Sequence, residues 1–150
     1  ALAQMLKDYS DEPYARLLAQ AICEQKTPIA TTSDLTRVIK AALKNTQADV
    51  NRSIRRSFQA LRIAVNNEFA VLEQFLRNLP FCLNAHGRVA LLSFHSGEDK
   101  RVQQALEAGL AAGLYRDISP EAIRPTPQER YANPRSKSAL LRWAIRSDLR

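Results

Sequence analysis

Gly87-Arg88-Val89-Ala90-Leu91-Leu92-Ser93-Phe94-His95-Ser96-Gly97-Glu98-Asp99 is the stretch at which the hydrophobic period changes. Before it, apolar residues recur at threes and fours. Within it, Val89, Ala90, Leu91, Leu92 and Phe94 form a short continuous run, the pattern of a strand buried on both faces and typical of parallel pairing. Ser96 with Asp99 three positions on then reads as a capping box, and Val102, Ala105, Leu106, Gly109 and Leu110 carry a helix to Gly113. Strand, tight polar turn and helix make half of an α/β unit.

On the N-terminal side everything reads as helix. Leu2, Met5, Leu6 and Tyr9 form a short amphipathic turn, and Tyr14, Leu17, Leu18, Ala21 and Ile22 continue the spacing until Pro28. Thr31 with Asp34 is a capping box for a helix whose apolar face is Leu35, Val38, Ile39, Ala42 and Leu43. From Val50 the positions Ile54, Phe58, Leu61, Val65, Phe69, Leu72, Leu76 and Leu79 predict one long helix of about eight turns with a single buried stripe.

On the C-terminal side, prolines at 120, 125, 127 and 134 predict a mostly irregular segment over 116–137 with short pieces of structure. Ala139, Leu141, Trp143 and Ile145 then alternate with Arg142 and Arg146, as an edge strand would, with a helix as the alternative. Two or three strands make no stable α/β sheet alone, so residues 87–150 read as the end of a sheet begun elsewhere.

The 150 residues suffice for one domain with a sizeable core, and no apolar run is long enough to span a membrane. Twenty-two Lys and Arg stand against 15 Asp and Glu, a net charge of +7, which favours an anionic partner such as nucleic acid. The excess is concentrated over 115–150, with eight basic and four acidic residues. Only four glycines occur, none before Gly87, which excludes a glycine-rich nucleotide loop within this chain. Cys23 and Cys82 lack any CxxC spacing; buried free thiols in a reducing cytoplasm are the expectation. His86 and His95, without a Cys/His/Asp cluster, give no metal site.

Three groups of residues are suited to chemistry. Arg52, Arg55, Arg56, Gln59, Arg62 and Asn66 share a helical face distinct from the apolar stripe, offering charge to phosphates and amides to bases; the alternative is a solvated face. Ser93, His95 and Ser96 follow the carboxyl end of a strand, where open α/β sheets place ligands; the alternative is simple helix capping. Asn133, Arg135 and Lys137 lie in a compact polar loop whose Pro134 fixes the turn, a composition suited to gripping a phosphate backbone, or else an accidentally basic surface.

Arg56-Ser57-Phe58-Gln59-Ala60-Leu61-Arg62-Ile63-Ala64-Val65-Asn66-Asn67-Glu68, then Gly87 through Ser96 with Glu98-Asp99, then Asn133-Pro134-Arg135-Ser136-Lys137-Ser138-Ala139-Leu140-Leu141-Arg142, occur in the order and spacing of one family. The chain resembles the MraW-type S-adenosylmethionine-dependent methyltransferases, which methylate the exocyclic amino group of a cytidine in small-subunit ribosomal RNA. The resemblance implies a mainly α fold with a small α/β part. Residues 1–80 would be a helical insertion that recognises RNA, and 81–150 the last strands and helix of a Rossmann-like methyltransferase sheet.

It also implies S-adenosylmethionine as cofactor of the intact enzyme. The glycine-containing half that binds it would lie upstream of Ala1, so this chain alone is expected to be catalytically incomplete and to hold no cofactor. His95 is the candidate catalytic residue. The implied partner is small-subunit ribosomal RNA or the ribosomal subunit, with a homodimer or the missing N-terminal half as the further expectation. The chain departs from the family at Gly97, where a bulky apolar residue is common. A stand-alone RNA-binding or ribosome-associated module without catalysis is the alternative from another class, and a helical protein-interaction module a third.

Overall fold

The structure, a computed structural model, describes residues 1–148. It is mainly helical with a small α/β part. The chain forms two compact units, Ala1–Glu68 and Phe69–Arg150.

The first unit holds α1 (Leu2–Ser10), α2 (Ala15–Cys23), α3 (Thr32–Leu43) and α4 (Val50–Asn66) around Leu6, Leu18, Leu35, Ile39, Leu43 and Ala60. The Thr31 capping box is present: the Asp34 N–H donates to Thr31 Oγ1 at 3.1 Å and the Thr31 N–H to Asp34 Oδ2 at 3.0 Å. The Thr31 hydroxyl, which also donates to Asp34, is the chief reason that this carboxyl lies below its ordinary value.

The single helix expected over 50–79 is two helices. Asn67 adopts the left-handed conformation at φ 52° and ends α4, and α5 (Glu68–Asn78) starts anew. Asn tolerates that conformation better than most residues, and periodicity carries no signal of it. The buried stripe is also displaced: Ser53, Ser57, Ala60 and Ile63 are the buried positions of α4, while Val65 is 82% exposed. The cause is a buried carboxylate. Glu12 accepts hydrogen bonds from the Tyr14 N–H at 3.0 Å and the Ser53 hydroxyl at 3.1 Å, drawing Ser53 inward.

In the second unit, α5 and a short 3-10 turn (Leu79–Cys82) precede β1 (Arg88–Ser93), α6 (Ser96–Ala111), β2 (Tyr115–Ile118), α7 (Pro127–Ala132), a 3-10 turn over Pro134–Ser138 and β3 (Leu140–Arg146). The sheet order is β1-β3-β2, antiparallel throughout. Thus the tail is a strand, as its alternation predicted, but a central one. Its two arginines face inward because each has a buried acceptor: Arg142 donates to Asp99 Oδ1 and Oδ2 at 2.7 and 3.0 Å, and Arg146 to the Leu114 carbonyl at 2.6 Å.

The expectation that β1 is parallel and buried on both faces also fails for these residues. Val89 and Leu91 join the core of Leu76, Leu79, Val102, Leu106, Tyr115 and Ala144, whereas Ala90 and Leu92 are exposed, Leu92 at 57%. β1 carries a continuous apolar run, but among the described residues only one side of the sheet is covered by helices. Gly109 has a packing reason: a Cβ there would come within 2.6 Å of the Tyr115 ring, whose burial also raises its hydroxyl pKa. Cys23 and Cys82 are free, as expected, but exposed rather than buried, since both close their helical turns at the surface. No helix among the described residues is long and apolar enough to cross a membrane.

The Arg142–Asp99 pair joins β3 to α6, and the hydrogen bond to Asp99 is the main reason that the guanidinium pKa is raised. Asp99→Ala is expected to leave this cation buried without its partner and to cost about 3–5 kcal/mol. Urea unfolding of wild type and variant measures the loss.

Candidate nucleic-acid interface

The antiparallel register sets Ser93 opposite Leu140, and the Ser93 hydroxyl donates to the Leu140 carbonyl at 3.4 Å. Where β1 ends, β3 therefore begins. This brings the Ser93–Ser96 turn and the Asn133–Ser138 loop, 40 positions apart in sequence, to one end of the sheet.

In the turn, the residue that caps α6 is His95, one position before the expected Ser96. Its Nδ1 accepts the Glu98 N–H at 3.4 Å, which requires Nδ1 to be unprotonated. The Glu98 carboxylate reaches back to accept the Phe94 N–H at 3.1 Å. His95 thus takes the capping role expected of Ser96, Glu98 returns to the residue before the cap, and Asp99 is left for Arg142. His95 Nε2 is buried, 3.2 Å from Glu98 Oε1 but outside hydrogen-bond alignment. Ser93 is buried and Ser96 exposed.

In the loop, Asn133 Oδ1 accepts the Arg135 N–H at 3.2 Å, and Pro134 begins the 3-10 turn. Asn133, Arg135 and Lys137 are exposed, and neither cation has a side-chain partner among the described residues.

The helical stripe lies in the first unit. Arg55 is exposed, and Arg56 and Gln59 are half-buried. Arg62 is engaged within that unit, donating to both carboxylate oxygens of Glu68 at 2.9 and 3.1 Å, and Asn66 donates to the same carboxylate at 3.4 Å. The spacing that put these six residues on one face gave no sign that Glu68, beyond the helix break, would take two of them.

The family model described as the MraW methylase family matches residues 1–147. The chain belongs to that family. Similar curated proteins include "Ribosomal RNA small subunit methyltransferase H 1" of Agathobacter rectalis, 44% identical over 98% of this chain and 44% of that protein. "Ribosomal RNA small subunit methyltransferase H 2" of Alkaliphilus metalliredigens is 45% identical over 97% and 44%. "Ribosomal RNA small subunit methyltransferase H" of a Cyanothece strain is 40% identical over 98% and 48%. This MraW-family chain spans less than half the length of these relatives.

A methylase implies S-adenosylmethionine, whose ribose hydroxyls call for an acidic acceptor. At the carboxyl end of β1 the carboxylates are Glu98 and Asp99, and both are already engaged, by the Phe94 N–H and by Arg142. This turn therefore presents no uncommitted carboxylate to a ribose.

Sequence reasoning missed the support beneath His95. The buried Phe69 ring lies 5.9 Å from the His95 ring, and the Arg101 guanidinium carbon sits 3.5 Å over the Phe69 centroid. Arg101 is held by Glu73 Oε1 and the Gly97 carbonyl, each at 3.0 Å. A Cβ on Gly97 would come 2.8 Å from Phe69 Cζ, so a side chain at this position would require the ring to shift. The cation over an aromatic is a sidedness that no local motif records.

If capping is what His95 contributes to the fold, His95→Ala is expected to lower stability by about 1 kcal/mol and His95→Asn to recover most of it. Thermal unfolding of the two variants tests the assignment.

Proposed function

We propose that the chain is the RNA-recognition and C-terminal portion of a ribosomal small-subunit methyltransferase. The whole protein would transfer methyl from S-adenosylmethionine to the exocyclic amino group of a cytidine. Residues 1–80 would be the helical insertion that meets RNA, and 81–150 the end of the methyltransferase sheet. The observation that carries this reading is the family match across 147 residues, running through both basic stretches. The free edge of β1 and the open apolar face of Ala90, Leu92 and Trp143 support the second assignment, since a larger sheet would cover them.

S-adenosylmethionine supplies a methyl group already activated as a sulfonium, and the donor would be held by residues outside this chain. What this chain would contribute is placement. Arg55, Arg56, Arg135 and Lys137 would bind phosphates, Gln59 and Asn133 would offer amides, and the His95 turn would form part of the wall against which the cytidine is set. A structured RNA must also release its target base, by flipping or from an unpaired segment.

Binding should therefore be salt-dependent. With a small-subunit ribosomal RNA fragment, log K should fall linearly with log salt, and Arg135→Ala with Lys137→Ala should reduce the slope by about two. His95→Ala should leave the slope unchanged, because a neutral imidazole releases no counterion. Filter binding across a salt series reads all three. An unchanged slope in the double variant would make the loop a solvated surface. For the chemistry, the complete gene product should label small ribosomal subunits from S-adenosylmethionine and yield N4-methylcytidine. RNA binding without label would favour the non-catalytic module.

A further inference from the structure

The helix α7 buries none of its residues. Its shape is fixed by its own termini instead. Thr126 Oγ1 accepts the Glu129 N–H at 3.1 Å, Pro127 opens the first turn, and the Asn133 N–H closes onto the Glu129 carbonyl at 2.8 Å. The chain then enters the second turn through the Ser136 N–H to the Asn133 carbonyl at 2.9 Å and the Ala139 N–H to the Ser136 carbonyl at 2.8 Å. The backbone from 126 to 139 is thus ordered without spending a side chain of α7 on the core.

On this scaffold Tyr131 is 92% exposed, the most exposed of the large apolar side chains among the described residues. Around it in sequence stand Arg124, Arg130, Arg135 and Lys137, all exposed and none with a side-chain partner among the described residues. Glu129 is the one acidic residue between 124 and 137. An isolated exposed aromatic needs no explanation, but an exposed aromatic on a capped helical turn, flanked in sequence by unpaired cations, matches what single-stranded nucleic acid requires. Cations track the phosphates, while the flat ring offers a face to any base. The preset backbone lowers the ordering cost of binding.

We propose that Tyr131 is a stacking platform for an unpaired base of the bound RNA, with Arg124, Arg130, Arg135 and Lys137 holding the adjoining phosphates. The inference rests on RNA being the partner and adds that the α7 segment engages an unpaired stretch of it.

The probes are an unstructured oligocytidine RNA and polyglutamate, a polyanion without bases, titrated against the full chain. Tyr131→Ala should weaken oligocytidine binding by about fivefold to a hundredfold with the salt slope unchanged. Tyr131→Phe, which keeps the ring, should stay within about twofold, and neither change should alter polyglutamate binding. Because the side chain is exposed, both variants should keep the wild-type melting temperature, which circular dichroism checks. Oligocytidine affinity untouched by Tyr131→Ala would overturn the stacking role while leaving RNA as partner. Equal losses on RNA and polyglutamate would overturn it in favour of an acidic protein surface. If wild type binds neither oligocytidine nor ribosomal RNA fragments, the stacking proposal falls together with the RNA reading beneath it.

Discussion

Arg142 stands in the central strand with 7% of its surface exposed, and both oxygens of Asp99 are turned onto its guanidinium. A cation so far out of water depends on that carboxylate, with Gln103 Oε1 at 3.3 Å as its other side-chain acceptor, so the first turn of α6 is fixed to the middle of β3. Much follows from that one attachment. With Asp99 engaged, capping of α6 passes to His95, and β3 leads out of the 133–138 loop beside the end of β1. The meeting of two polar segments at one end of the sheet is thus a consequence of a buried ion pair and an antiparallel register, not of either segment's own composition.

The helical unit is organised by a different polar group. Glu12 is buried at the α1–α2 turn and tied to Ser53, and with Ser57 it places a polar seam where a wholly apolar stripe was expected. Val50, Ile54, Phe58 and Leu61 pack beside the core, half-buried, instead of at its centre. The same displacement leaves the cationic side of α4 facing water, with Arg55 exposed and Arg56 half-buried.

These two cases show what was legible in the sequence. Helix existence in the first 45 residues, the Thr31 cap, the β1 and β3 strands and the α6 helix follow from period and capping chemistry, which are local. Four features were not local and so were not readable: the left-handed Asn67, the inward Ser53 and Ser57, the central place of β3, and the transfer of the α6 cap to His95. Each depends on a partner distant in sequence or on a backbone choice that several residue types would allow. An arginine alternating with apolar residues reads as solvent-facing unless the Asp99 that accepts it, 43 positions earlier, is known. For the candidate site, the loop and the turn were both readable as polar segments, while their juxtaposition and the ring beneath His95 were not.

Phe69 and Gly97 divide one small volume between them: the ring occupies the place that a side chain at 97 would need. That couples the two positions sterically. A turn grafted here with a larger residue at 97 would need a smaller side chain at 69 or a shift of the ring. Neither substitution alone would report what its position is for, since each would chiefly record the collision or the void left by the other.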